Sequence, residues 1–182
     1  MPCRRSGVCT ASRREVPAGS VATVKTLCLL RHATTEDALP GRPDADRRLT
    51  EQGWQEARAL GEHLRTSGVR PDEVWCSSAT RARQTCSALD LDVEPQLGPA
   101  LYRTHADGLL EMLAGCDPAT GSLLVVGHNP AMQDAAWELV TPGTAEQELL
   151  SRRFPPATFV TLTFDSPWSG LTRAVRTEVR LP

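Results

Sequence analysis

No stretch of the 182-residue chain approaches the roughly 20 consecutive apolar residues of a membrane-crossing helix, so no membrane partner is expected. Neither sign of charge is in excess. The net charge of -2 and the pI near 6.1 argue against a general nucleic-acid or anionic-membrane binder. Lysine is almost missing: Lys25 is the only one, in a chain otherwise rich in arginine, alanine and proline. That bias fits GC-rich coding and carries little mechanism. CxxC pairs are also missing. Cys3, Cys9, Cys28, Cys76, Cys86 and Cys116 show no metal-site spacing with histidine, so neither a metal nor a cofactor is expected. Cys28 and Cys76 sit in apolar runs and Cys86 on an apolar helix face. They read as buried free thiols in a reducing cytoplasm.

What is there suits one globular domain: 40% apolar residues, 23% charged, and enough length for a full core. Residues 1–22 carry four arginines and no periodicity, and read as a disordered extension ahead of a single domain over 23–182. From there strands and helices alternate. Strands are expected at 24–30, 72–77 and 121–127, and helices at 49–68, 79–90, 105–116 and 130–140. Thr50 is the expected N-cap of the first helix and Gly68 its stop, with Ala57, Leu60 and Leu64 on one face. Thr104 with Asp107 forms a weak capping box for the third helix, and Pro130 falls in the first turn of the fourth. Two further strands, 157–164 and 172–181, flank the turn-rich "DSPWSG" and are expected to pair antiparallel. This alternation predicts a three-layer α/β sandwich: a mostly parallel central sheet, helices on both faces, and antiparallel C-terminal strands.

Ligands of such sheets bind beyond the carboxyl ends of the parallel strands. Three strand ends carry unusual residues there. The first ends in Arg31-His32, the second runs into "CSSATRARQT" with Arg81 opening a helix, and the third ends in Gly127-His128-Asn129. If the strands are parallel neighbours, two arginines and two histidines meet at one edge. Arginine forks match phosphate or carboxylate oxygens, and helix N-termini favour the same anions. A neutral imidazole can act as a nucleophile, and a second can donate a hydrogen bond as charge spreads over a phosphoryl group. The arginines offset that charge without a metal and would repel one.

"LLRHA", "SSATRARQT" and "LLVVGHNP", in this order and each after an expected strand, resemble the histidine phosphatase superfamily, which includes the phosphoglycerate mutases. The likeness is nearest to the SixA-like phosphohistidine phosphatases and covers about residues 24–165. It implies an α/β fold and a phosphohistidine intermediate. Carried over by position, His32 is the nucleophile, Arg31 and Arg81 hold the phosphoryl oxygens, and His128 completes that pocket. Ser77 and Asn129 are expected as supporting substrate-side residues.

Two departures stand out. Alanine at 33 replaces the family's usual glycine, and Ala100 stands where many members carry the acid that protonates the leaving group. Asp107 and Glu111 nearby fit better as capping and solvent-facing groups. The resemblance therefore implies a phosphatase acting on a phosphorylated protein, with phosphohistidine as the phosphoryl donor. Alternatives are a phosphomonoesterase of small phosphorylated metabolites and a non-catalytic phosphate-binding module. His63 and Arg83 are expected at the surface, His105 at the surface or along the cleft, and Asp46 and Arg47 in a structural loop.

Overall fold

A computed structural model of the protein describes residues 24–182, so the expected extension over 1–22, with Cys3 and Cys9, lies outside the described residues. The first strand, β1 (Lys25–Arg31), alternates its side chains between two cores. Leu27 and Leu29 face one, and Cys28 and Leu30 the other. This is the two-residue period of a strand buried on both faces.

Helix α1 (Glu51–Ser67) follows β1, with Thr50 as N-cap accepting a hydrogen bond from the Gly53 amide and Gly68 ending it at φ 74°. Both boundaries are as expected, because an oxygen-bearing cap and a left-handed glycine satisfy end groups that the helix itself cannot. Then come β2 (Glu73–Ser77), α2 (Thr80–Leu89), β3 (Gln96–Gly98), α3 (Ala100–Arg103) and α4 (Ala106–Ala114). β4 (Ser122–Gly127), α5 (Ala131–Leu139), α6 (Ala145–Arg152), β5 (Phe159–Phe164) and β6 (Arg176–Arg180) complete the order.

The six strands lie in the order β3-β2-β4-β1-β5-β6. The first four are parallel, and β5 and β6 are antiparallel. Leu60 and Leu64 of α1 with Ala82, Cys86 and Leu89 of α2 cover one face; Leu109 and Leu113 of α4, Met132 and Leu139 of α5 and Leu150 of α6 cover the other. The three-layer arrangement is the expected one. Cys28, Cys76, Cys86 and Cys116 are free and buried, and burial pushes the Cys28 thiol up to about 12.

Several local expectations change. The α4 cap is His105, not Thr104, and the Thr104 hydroxyl donates to the His105 carbonyl, so no capping box with Asp107 forms. Pro130 is the N-cap of α5 rather than part of its first turn. The last strand is shorter than 172–181. The Ala174 amide is drawn to the Leu139 carbonyl at the end of α5, and strand pairing begins beyond it. β3, α3 and α6 were not expected. Thr144 with Gln147 three residues on does carry a helix-start signal for α6, and the Thr144 hydroxyl accepts from the Gln147 amide.

Two glycines let α1 approach its neighbours. A Cβ on Gly53 would lie 2.0 Å from the Thr34 carbonyl oxygen, and one on Gly61 would lie 2.3 Å from that of Leu89. Gly61→Ala is expected to destabilise the fold by about 1–3 kcal/mol, because backbone must move on both sides. Denaturant titration checks this; an unchanged midpoint would show that the contact is slack.

Candidate active site

β1 and β4 are adjacent and in register, with Arg31 opposite Gly127, and β2 lies on the other side of β4. Three neighbouring parallel strands therefore deliver Arg31-His32, Ser77 and His128 to one edge of the sheet. Arg81 arrives in the first turn of α2. His32, Ser77, Arg81 and His128 are all buried. The His32 and His128 rings stand 5.1 Å apart, tilted by 52°.

The backbone around His32 is fixed from three sides. Its amide donates to the Gly127 carbonyl at 3.0 Å, and its carbonyl accepts from the Ala157 amide at 3.0 Å. The Ala33 amide donates to the Thr85 hydroxyl at 3.1 Å, and that hydroxyl donates to the Arg81 carbonyl at 2.8 Å. Ala33 is not among the described residues with positive φ, so alanine fits without strain. The loop beyond it is held to α1, since Glu56 accepts from the Thr34 amide and hydroxyl.

The His32 Nδ1 lies 2.8 Å from the carbonyl oxygen of Ala33. A carbonyl only accepts, so Nδ1 carries the proton and Nε2 keeps its lone pair. Arg31 donates through Nη1 to the Phe154 carbonyl at 2.6 Å, while its Nε is buried without a partner. Arg81 donates to the Asp44 carbonyl at 2.7 Å and to the Asp44 carboxylate at 2.9 Å, and its Nε is likewise unpartnered. His128 places Nε2 2.8 Å from the Ser77 hydroxyl, and its Nδ1 is buried with no partner. Buried polar atoms are seldom left unpaired. Here three of them, on three separate segments, belong to the same small cluster.

Comparison with known proteins identifies the family. The profile of the histidine phosphatase superfamily (branch 1) matches residues 27–115. An uncharacterised protein of Mycobacterium tuberculosis is 34% identical over 146 residues, which is 78% of this chain and 91% of that protein. The protein provisionally named phosphohistidine phosphatase SixA from Nakamurella multipartitia superimposes with a TM-score of 0.75 at 33% identity, over 87% of this chain and 94% of that one. This chain belongs to the histidine phosphatase superfamily. A second SixA-named structure, from Agrobacterium tumefaciens, has a TM-score of 0.73 at 26% identity, over 87% of this chain and 99% of that one. Within the superfamily this phosphatase is SixA-like.

The electrostatics of this histidine phosphatase keep both rings neutral. Burial, reinforced by the charges of Arg81, Arg31 and Arg47, pulls His32 down to about 4 against the opposing hydrogen bond to Ala33. Burial and then the Arg81 charge pull His128 to about 3, with Asp44 opposing. Arg31 is also lowered, by burial and by Arg81. Both histidines therefore have folded pKa values below the ordinary 6.5. Between those limits the unfolded chain binds more protons, so stability is full above about pH 6.5 and falls as pH drops toward the folded values. At pH 5 the loss is about 2 kcal/mol per ring. Melting temperatures of the wild type are expected to fall between pH 7 and 5, and a His32→Gln, His128→Gln double variant to show a shallower slope. Parallel slopes would mean that the rings are not buried neutral.

Asn129 is placed beside the cluster but offers an anion little. Its amide donates to Gln133 at 2.9 Å and to the Phe154 carbonyl at 3.3 Å, which leaves an acceptor oxygen free. Since Arg31 donates to the same Phe154 carbonyl, Asn129 shares an anchor with Arg31. Arg83 is exposed as expected, whereas His63 is half-buried. His105 is exposed, in a shallow groove with Asp107, Asp134, Trp137 and Glu138. Glu111 is exposed as expected, and Asp107 is exposed without capping the helix.

Two residues in the cluster were not singled out from the sequence. Asp44 accepts from Arg81, from the Tyr102 hydroxyl at 3.0 Å and from Arg47 at 3.2 Å. Slight burial works against its ionisation, but those bonds from Arg47, Tyr102 and Arg81 hold it down to about 2. Tyr102 stands edge-on to His128, with ring centres 5.5 Å apart. The signals were weak. Asp44 sits two residues before Asp46 in "DADRRLT", and Tyr102 lies in "LGPALYRTH", two residues beyond Ala100. Arg47 pins the loop as expected, donating to the Glu36 carbonyl and the Thr35 hydroxyl; Asp46 is exposed.

Proposed function

We propose that this phosphatase acts on phosphohistidine carried by a protein, through a covalent phosphoryl-enzyme at His32. The supporting observation is the group of three unpartnered nitrogens, Arg31 Nε, Arg81 Nε and His128 Nδ1, beside the free Nε2 lone pair of His32. A phosphoryl group supplies three non-bridging acceptor oxygens and an electrophilic phosphorus, which matches that set. His32 Nε2 attacks phosphorus, the bond from phosphorus to the leaving group breaks, and the leaving group departs with its electron pair. Water then attacks the phospho-His32 and releases inorganic phosphate, and His32 returns to its neutral form. The arginines and His128 act by positioning the phosphoryl group and offsetting its charge.

The state of the carboxylate nearest the cluster supports this substrate class. Asp44, the carboxylate hydrogen-bonded into the cluster, is held ionised at about 2 and has no proton to give near neutral pH. Lacking a general acid costs roughly 10²–10⁴-fold for an alkoxide. An imidazole leaves without that help, because its second ring nitrogen can be protonated by solvent. A cytoplasmic place, consistent with four buried free thiols, belongs to the same reading. The test is hydrolysis of a phosphohistidine peptide, an aryl phosphate and a sugar phosphate by the purified protein. The expected order of kcat/KM is phosphohistidine, then aryl, then alkyl phosphate. A preference for the sugar phosphate at mildly acidic pH would instead support a small-metabolite phosphomonoesterase.

A further inference from the structure

We propose that Ser77 fixes the tautomer of His128, so that Nδ1 carries the proton and faces the phosphoryl group as a donor. Ser77 is then a positioning residue that acts through His128 rather than a ligand of the substrate. This rests on the reading of His128 as part of the phosphoryl pocket.

The available protons decide between the tautomers. Ser77 ends β2, is fully buried, and its hydroxyl accepts from the Ala79 amide at 3.3 Å. The same oxygen lies 2.8 Å from His128 Nε2. A hydroxyl has one proton to give. If Nε2 carried the ring proton, the Ser77 oxygen would accept twice and its own proton would be left buried without an acceptor. Nδ1 would then be a bare lone pair in the pocket, facing the oxygens of any bound phosphate. If Nε2 is bare, Ser77 donates to it, the amide of Ala79 is satisfied, and one donor remains: Nδ1–H. That atom is buried and unpartnered, as are the Nε atoms of Arg31 and Arg81. The second arrangement leaves only groups that one anion satisfies together, whereas the first strands a buried hydroxyl proton. The third possibility, a doubly protonated ring, is disfavoured by burial and by Arg81, which hold His128 near 3.

His32 and His128 thus hold the same tautomer, Nδ1–H with a bare Nε2, but use opposite nitrogens toward the phosphoryl group. A carbonyl acceptor at Nδ1 bares Nε2 of His32 for attack, and a hydroxyl donor at Nε2 bares the N–H of His128 for binding. Each tautomer is selected by its neighbour on the protein side of the ring.

Long-range ¹H–¹⁵N spectra of the ¹⁵N-labelled protein read this directly, with His128 assigned by comparison with His128→Gln. The expected wild-type result is a protonated Nδ1 and a bare Nε2 on His128. In Ser77→Ala that fixed form should give way to Nε2–H or to a mixture. Turnover of an aryl phosphate should fall roughly 10-fold or more, mainly in kcat, as a transition-state donor is lost. Ser77→Thr, which keeps the hydroxyl, should restore both. A wild-type His128 protonated on Nε2 would overturn the proposal without either Ser77 variant having to fold. An unchanged tautomer in Ser77→Ala would overturn the role of Ser77. Protonated Nδ1 without phosphatase turnover would support the tautomer assignment and remove the proposed activity, so the two failures are distinct.

Discussion

His32→Ala is expected to abolish turnover, lowering kcat/KM by on the order of 10⁴-fold or more. The expectation is strong because the fold does not depend on the ring. The backbone of residue 32 keeps its bonds to Gly127 and Ala157, and Ala33 keeps its bond to Thr85. The side chain itself makes one hydrogen bond, to the adjacent Ala33 carbonyl. A folded, inactive variant is therefore the predicted outcome, checked by circular dichroism beside steady-state kinetics. An active His32→Ala protein would mean that water attacks phosphorus directly.

Arg81→Ala is the second large effect, a loss of roughly 10²–10³-fold in kcat/KM from a missing charge-stabilising donor. A structural explanation competes here, because Arg81 also binds Asp44 twice. The two can be separated. Asp44 retains Arg47 and Tyr102 when Arg81 is removed, so its loop keeps two of its supports. Asp44→Ala is expected to cost much less than Arg81→Ala if Arg81 works on the phosphoryl group. Equal losses would make Arg81 a loop anchor. Arg81→Lys should recover activity only in part, since an ammonium restores charge without the fork.

How legible this was depended on the length scale of the signal. β1, β2 and β4 announce themselves as apolar runs, and their parallel register brings together groups that are 96 residues apart in the chain, as His32 and His128 are. The expectation that Arg31, His32, Arg81 and His128 converge therefore agrees with the fold. Ser77 was expected to make a supporting hydrogen bond, and its partner is His128. Asn129 was expected beside the substrate, but its donors serve Gln133 and Phe154. β3 and α3 were illegible because three and four residues carry too little periodicity, and α6 offered only the Thr144–Gln147 cap ahead of eight residues. Asp44 and Tyr102 were illegible for another reason. They join the site from the segment ahead of α1 and from the short helix α3, through contacts spanning 37 and 58 residues, which no local pattern records.

The central claim is a covalent phosphoryl-enzyme on His32, and rapid-quench labelling tests it most directly. The protein is mixed with a ³²P-phosphoryl donor, quenched in alkali to preserve an acid-labile phosphohistidine, digested, and mapped by mass spectrometry. The predicted result is a label on the peptide carrying His32, formed and lost at rates consistent with kcat and absent from His32→Ala. Turnover at the normal rate with no label on that peptide at any quench time would contradict it.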